Sequence, residues 1–118
     1  MSMPQPIFRA PPFRCVDPWS RHNPLCAAGL SERRADEQAY RAPVMQALAA
    51  VQARHAPGSV SLFDPFDTLC GAERCSAIGA DGRPLFFDGD HVSRWGNEVL
   101  YPAFRQHWQQ RAAAAAPR

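Results

Sequence analysis

Proline is the feature of this sequence that most restricts its fold. Twelve of the 118 residues are proline, and half of them fall within the first 24 residues: Pro4, Pro6, Pro11, Pro12, Pro18 and Pro24. Proline fixes φ at about −65° and has no backbone N–H, so this segment cannot form a long helix or a central strand. We expect residues 1–30 to be an extended segment rich in proline and cysteine.

Composition narrows the class of protein. The net charge is only +2, and the basic residues are 13 arginines scattered along the chain with no lysine, so no basic stripe for a nucleic acid is present. Apolar residues make up 46% of the chain, enough for a modest core. No apolar run is long enough to span a bilayer, and residues 1–12 do not have the pattern of a signal peptide.

The middle of the chain predicts a helix followed by a strand. Ser31 is a suitable N-cap, and Val44, Leu48 and Val51 are spaced as one helical face. Pro43 either kinks this helix or opens a second one, and Pro57-Gly58 ends it near His55. The run 60–63 then predicts one short buried strand, which makes the fold class α/β. Asp64 either ends that strand at a ligand-binding edge or caps the next turn.

The last third of the chain predicts a disulfide loop, a turn and a helix. Residues 65–75 form a compact turn, and Asp81-Gly82 indicates a hairpin-type turn. Ser93 is the expected N-cap of the final helix. The apolar side of that helix, which we expect to pack in the core or at its edge, contains Trp95, Val99, Leu100, Ala103, Phe104 and Trp108. The alanine-rich tail, 112–118, is expected to fray. We place His22, His55 and His107 on the surface.

Four cysteines are an even number at paired spacings, which predicts two disulfides. Cys70 with Cys75 is the stronger pair and Cys15 with Cys26 the weaker, while pairing between the two halves remains open. Disulfides need an oxidising compartment, yet this sequence has no export signal. One resolution is that the chain lies downstream of a membrane anchor or signal that it has lost. The alternative is a reduced, cytosolic metal site in which Cys70, Cys75 and His91 are ligands, although zinc prefers closer cysteines and a fourth ligand. We therefore expect neither a metal nor another cofactor.

The chemistry is concentrated in residues 85–96, where an apolar run leads into a loop containing Asp88 and His91. Residues three apart in a turn can fold back on each other, so the Asp88 carboxylate can accept a hydrogen bond from one imidazole nitrogen. The other nitrogen is then free to act as a general base toward a hydroxyl. Asp90 is expected to be a solvated charge whose side chain points away from Asp88. The alternative is a polar loop that only caps a helix.

The order of these features resembles the SGNH domains that are fused to, or work beside, membrane acyltransferases of the acyltransferase-3 group. The resemblance rests on the stretch 60–64, the Cys70 and Cys75 pair, Asp81-Gly82, the run 85–87, and Asp88-x-x-His91-Val92-Ser93-x-x-Gly96, with Val92 in place of the usual Leu. It covers about residues 40–108 and, more loosely, the stretch before them that contains prolines and cysteines. It implies a three-layer α/β fold with a parallel sheet, a Ser-His-Asp triad acting on polysaccharide O-acyl esters, and a periplasmic location. His91 would be the base and Asp88 its orienting partner.

One departure from the family pattern decides the functional prediction. The family's nucleophile lies in a Gly-Asp-Ser motif, and none of the seven serines has that setting: Ser2, Ser20, Ser31, Ser59, Ser61, Ser76 and Ser93. The blocks that supply the oxyanion hole are absent too. We therefore predict that residues 31–111 are the C-terminal part of an incomplete SGNH-like domain, inactive alone because the nucleophile is missing.

Such an incomplete domain would depend on partners. The expected ones are the N-terminal half of the domain or a membrane acyltransferase, with an acyl-carbohydrate as substrate and no nucleic acid. Because one or two strands leave an open sheet edge, we expect poor stability as a monomer. The alternative function is a disulfide-stapled, exported binding or accessory module without catalysis.

Overall fold

A computed structural model of the chain describes residues 1–116. Over this range the secondary structure consists of helices α1 (Pro12–Cys15), α2 (Pro24–Gly29), α3 (Arg34–Ala53), α4 (Phe66–Leu69) and α5 (Arg94–Ala115), and of strands β1 (Ser31–Arg33) and β2 (Arg74–Ser76). This combination of helices with a small sheet is compatible with the α/β class that the sequence predicts. The two long helices, α3 and α5, correspond to the two main helices expected.

The sheet is antiparallel, with Glu32 opposite Cys75 at the centre of the β1–β2 pair. Its backbone hydrogen bonding continues past β2, because Leu85 N donates to Ala77 O at 2.8 Å and Ser93 N donates to Leu85 O at 2.9 Å. The chain thus crosses this layer repeatedly before it enters α5. The parallel sheet implied by the family resemblance is represented, within residues 1–116, by a single parallel bridge between Ser2 and Phe63.

The prediction of a buried strand at 60–63 is wrong. Phe63 N donates to Met1 O at 2.9 Å and Phe63 O accepts from Met3 N at 2.8 Å, but the segment forms no longer ladder. Its side chains are only half-buried. In the described part of the chain only residues 1–3 pair with it, and so short a pairing does not define a strand.

The N-terminal segment also differs from the extended structure expected for residues 1–30. Two short helices interrupt it, and each begins at a proline, Pro12 and Pro24, because the first helical position needs no N–H donor. The Asn23 side chain caps α2 by accepting from Leu25 N at 2.9 Å. Phe8 and Ala10 are buried, so the segment packs onto the rest of the chain.

Helix α3 begins two residues later than predicted. Ser31 is not its N-cap, because residues 31–33 pair with β2, and the helix starts at Arg34. Pro43 lies inside one continuous helix. The predicted apolar face is also wrong, since Val44 is 48% exposed and the buried residues of α3 are Glu37 and Arg41.

The burial of these two charged residues has local causes. The Glu37 carboxylate accepts a hydrogen bond from Ile7 N at 3.0 Å. The Arg41 guanidinium pairs with Asp64 at 2.7 Å and lies over the Phe66 ring, 4.3 Å from its centroid. Asp64 Oδ1 also accepts from Phe66 N at 3.0 Å, so Asp64 caps the following turn, as one of the two readings proposed.

The core is built around Phe86 and Phe66, which pack with these buried neighbours: Phe8, Leu69, Cys70, Cys75, Ala77 and Leu85. Two disulfides, Cys15–Cys26 and Cys70–Cys75, confirm the favoured pairing. With Cys70 and Cys75 paired in a disulfide, neither offers a thiolate to the zinc site considered as the alternative. The turn at Asp81-Gly82 is present, with Gly82 at φ +79° in the left-handed region that favours glycine.

The apolar side chains of helix α5 are less buried than predicted. Trp108 is 61% exposed, which contradicts its expected packing, whereas Phe104 makes an edge contact with Phe63 and Trp95 stacks on Phe13. The helix continues to Ala115 and so includes the first residues of the alanine-rich tail, while residues 117–118 lie outside the described range. None of the helices formed by residues 1–116 combines the length and hydropathy needed to cross a membrane.

Candidate active site

The candidate site is a three-residue loop between two short extended segments. Phe86 and Val92 form an antiparallel bridge, and Phe87 N donates to His91 O at 2.7 Å, so residues 88–90 make the turn. Phe86 is fully buried and Val92 half-buried. The apolar residues on either side of the loop therefore anchor it in the core and leave its polar residues at the surface.

The Asp88 carboxylate organises this turn. Its Oδ1 accepts hydrogen bonds from Asp90 N at 3.0 Å and His91 N at 2.8 Å. The two backbone donors stabilise the ionised carboxylate, and with a smaller contribution from the imidazole they lower the pKa of Asp88 from 3.8 to about 2. Asp88 is therefore charged throughout the physiological range.

The His91 ring lies against the same carboxylate. Its Nδ1 is 3.0 Å from Asp88 Oδ1 and 2.9 Å from Asp88 Oδ2, which brings together the two residues that the sequence proposed as a pair. The hydrogen bond to Asp88, followed by the negative charges of Asp88 and Asp90, raises the pKa of His91 above its usual 6.5. With Nδ1–H donating to Asp88, the Nε2 atom is available to exchange a proton with solvent or substrate.

Asp90 departs from its expected orientation. Its Oδ1 lies 3.0 Å from His91 Nδ1, so it faces the imidazole instead of pointing away from Asp88. The turn is so short that both carboxylates reach the same ring, whose N–H attracts them. Asp88, Asp90 and His91 have the donor types of a cation site, but the hydrogen bonds within the turn already account for their arrangement.

Residues distant in sequence hold the loop from behind. Phe8 N donates to Gly89 O at 2.7 Å, and Phe8 O lies where a Cβ of residue 89 would be, so this position requires glycine. Gln5 Nε2 donates to Asp90 O at 2.5 Å. Sequence reasoning missed both contacts, because nothing in the local pattern of residues 5–8 indicates which loop they meet.

Ser93 is structural. Its Oγ accepts from Gly96 N at 3.1 Å, which confirms the predicted N-cap of α5, and donates to Pro84 O at 2.6 Å. The side chain is buried and both of its hydrogen bonds are committed to the backbone. It is therefore not available as a nucleophile, although it is only two residues from His91.

The remaining histidines lie outside this loop. His22 and His55 are exposed, as predicted. His107 is half-buried, because its ring packs on Phe63 and its Nε2 lies 3.2 Å from Ser61 Oγ, so its expected surface position is only partly right.

A cavity of about 390 Å³ lies beside the loop and is lined by Ser2, Gln5, Phe63, Pro65, Val92, Asn97, Leu100, Tyr101 and Phe104. Val92 and Gln5 connect it to the turn that contains His91. Ser2, the one serine in its wall, has its hydroxyl directed to Met3 O at 3.2 Å. Within residues 1–116, the side-chain partners of the His91 ring are the two aspartates of its own turn. The loop thus holds an oriented imidazole that contacts no hydroxyl group of the described residues.

Comparison with known proteins gives one match. No curated protein and no solved structure is significantly similar to the chain. The family model described as "SGNH domain (fused to AT3 domains)" matches residues 2–106, which is most of the sequence and includes the whole loop with Asp88 and His91. The chain therefore belongs to this family of SGNH domains.

Proposed function

We propose that this chain is the base-bearing part of an SGNH-type O-acyltransferase or esterase that acts on esters of cell-surface polysaccharide. The observation that carries the proposal is the contact between His91 Nδ1 and Asp88 at 2.9 Å. A carboxylate in this position selects the tautomer that leaves Nε2 free and stabilises the imidazolium once Nε2 has taken a proton.

In this mechanism His91 acts as a general base. Its Nε2 accepts the proton of a hydroxyl as the oxygen attacks the ester carbonyl carbon, and the imidazolium then returns that proton to the leaving alcohol. Asp88 remains ionised throughout, consistent with its lowered pKa. Its contribution is to orient the ring.

The nucleophile and the oxyanion donors must come from residues outside this sequence. The 118 residues contain no Gly-Asp-Ser, and the buried Ser93 is committed to capping α5. A base without these groups has little to accelerate. We propose that the chain alone has no esterase activity and becomes part of an active site when a Gly-Asp-Ser segment lies against His91.

The two disulfides support an oxidising, extracytoplasmic location for this site. The family's association with AT3 domains makes a membrane acyltransferase the proposed partner, with an acyl-carbohydrate as the substrate. A periplasmic location would bring the base, the partner and the polysaccharide together.

The test is hydrolysis of a chromogenic acetyl ester. The chain alone is expected to hydrolyse no faster than its variant His91→Ala. Adding a polypeptide that contains the Gly-Asp-Ser part of an SGNH domain is expected to produce turnover that His91→Ala and Asp88→Asn reduce. His55→Ala is the matched control, since it removes an exposed imidazole elsewhere. Turnover by the chain alone that depends on His91 would overturn the proposed inactivity.

A disulfide-stapled binding module without catalysis is the second candidate. It is favoured by the exposure of the loop, because the His91 side chain is 74% exposed and meets no nucleophile within residues 1–116. Failure of every Gly-Asp-Ser polypeptide to produce turnover that depends on His91 would favour this module over the enzyme.

A further inference from the structure

An exposed aromatic residue immediately precedes the turn that contains the proposed base. Phe87 is 60% exposed, although it immediately precedes Asp88 and follows the fully buried Phe86. We propose that the Phe87 ring stacks on the face of a neutral sugar ring and positions the carbohydrate at His91. This inference rests on the proposed function and adds to it a residue that binds the substrate.

The strand register places Phe87 and His91 on the same face. Phe86 and Val92 form an antiparallel bridge, so Phe87 and His91 are the next pair toward the turn. Residues opposite each other in an antiparallel pair direct their side chains to one face, with Cβ atoms about 5 Å apart. Since Phe86 points into the core, the Phe87–His91 pair faces solvent.

Other aromatic rings pack beside Phe87. The Phe13 ring packs on it at a centroid distance of 5.2 Å, and Phe13 is in turn stacked on Trp95 at 5.6 Å with an interplanar angle of 26°. Phe13 lies on α1, which the Cys15–Cys26 disulfide ties to α2. A partly exposed ring that packs on neighbours in this way loses little conformational freedom when a ligand stacks on it, which favours binding.

The charges around Phe87 favour a neutral ligand with hydroxyl groups. Asp88 and Asp90 lie in the same turn, and their carboxylates repel phosphates and other anions. Carboxylate oxygens accept hydrogen bonds from hydroxyl donors. An aromatic face next to two carboxylates therefore matches a pyranose ring, which presents C–H groups on its face and hydroxyls at its edge.

The test is an equilibrium titration of the intact chain with cellotetraose and chitotetraose, in which the NMR chemical shifts of the His91 ring protons report binding. We expect shifts on binding, about tenfold weaker affinity for Phe87→Ala and Phe87→Leu, and near-unchanged affinity for Phe87→Tyr, which keeps the ring. Trp19→Ala is the matched control, because Trp19 is 92% exposed elsewhere. Circular dichroism verifies that each variant is folded.

The proposal would be overturned by the absence of any shift with either sugar up to its solubility limit, or by equal affinity for wild type and Phe87→Ala. Tighter binding of an acidic oligosaccharide such as tetragalacturonate would also contradict it. The titration needs no reaction, so its failure is separate from failure of the proposed catalysis, which the ester assay reports.

Discussion

Replacing Gly96 by alanine tests whether close packing against Leu85 and Val92 requires a glycine at this position. In a helix interior, alanine is more favourable than glycine by about 1 kcal/mol, so helix propensity alone predicts a more stable protein. Gly96 is buried in the first turn of α5, however, and a Cβ there would collide with Leu85 O and come within 2.6 Å of Val92 Cγ1.

We expect this collision to outweigh the gain in helix propensity, so that Gly96→Ala lowers the free energy of unfolding. Leu85 O is a backbone atom that accepts from Ser93 N at 2.9 Å, so it cannot retreat without loss of that hydrogen bond. Overpacking costs up to about 3 kcal/mol, and we expect a net loss of about 2 kcal/mol after the gain in helix propensity. For a chain of this size, such a loss lowers the Tm by about 8 °C.

Urea unfolding followed by circular dichroism measures this difference. The control is Asn97→Ala, at the next and exposed position of the same helix. This variant should be more stable than the wild type by about 0.5 kcal/mol because of the higher helix propensity of alanine. A Gly96→Ala protein as stable as the wild type, or more so, would refute the reasoning, because the close approach of α5 to Leu85 would then not exist in solution.

Three further predictions concern stability. The two disulfides close loops with sequence separations of 11 and 5, and reducing them should lower the free energy of unfolding by about 2–3 kcal/mol each. Urea unfolding with and without reductant measures this loss. Unchanged stability would mean that the bridges do not form. Asp64→Ala should cost about 2 kcal/mol by leaving the buried Arg41 guanidinium without its partner. Asp36→Ala, which breaks an exposed pair with Arg33, should cost under about 1 kcal/mol, and equal losses in the two variants would contradict this assignment. Phe86→Ala should cost about 3–5 kcal/mol, since the ring is fully buried, and thermal melting that shows a smaller loss than Phe87→Ala would contradict the assigned burial of these neighbours.

Local chemistry was predictable from the sequence. The Ser93 cap, the turn at Gly82, the two disulfides and the contact between Asp88 and His91 each involve residues at most 11 positions apart. In each of these cases the residue types themselves restrict the geometry. This is why the sequence alone indicates the loop.

Long-range contacts were not predictable in the same way. Ser31 is a good N-cap by residue type, but its pairing with Ser76 places it in a strand. Arg41 is charged and yet buried, because Asp64 and Phe66 meet it from a distant segment. Tertiary contacts overrode local preference at both positions. The exposure of Val44 likewise depends on which segments pack against α3, and the periodicity of apolar residues does not predict that packing.

A pH titration of the His91 ring by NMR tests the central claim most directly. The account predicts a pKa above 6.5, an Nδ1–H tautomer in the neutral form, and a lower pKa in Asp88→Asn. Because the folded-state pKa is raised, the stabilisation from this pair is fully present below 6.5 and is lost as the pH rises through the raised pKa, while Nε2 becomes a free base over the same range. A pKa at or below 6.5 that Asp88→Asn leaves unchanged would contradict the assignment of Asp88 as the group that orients the base.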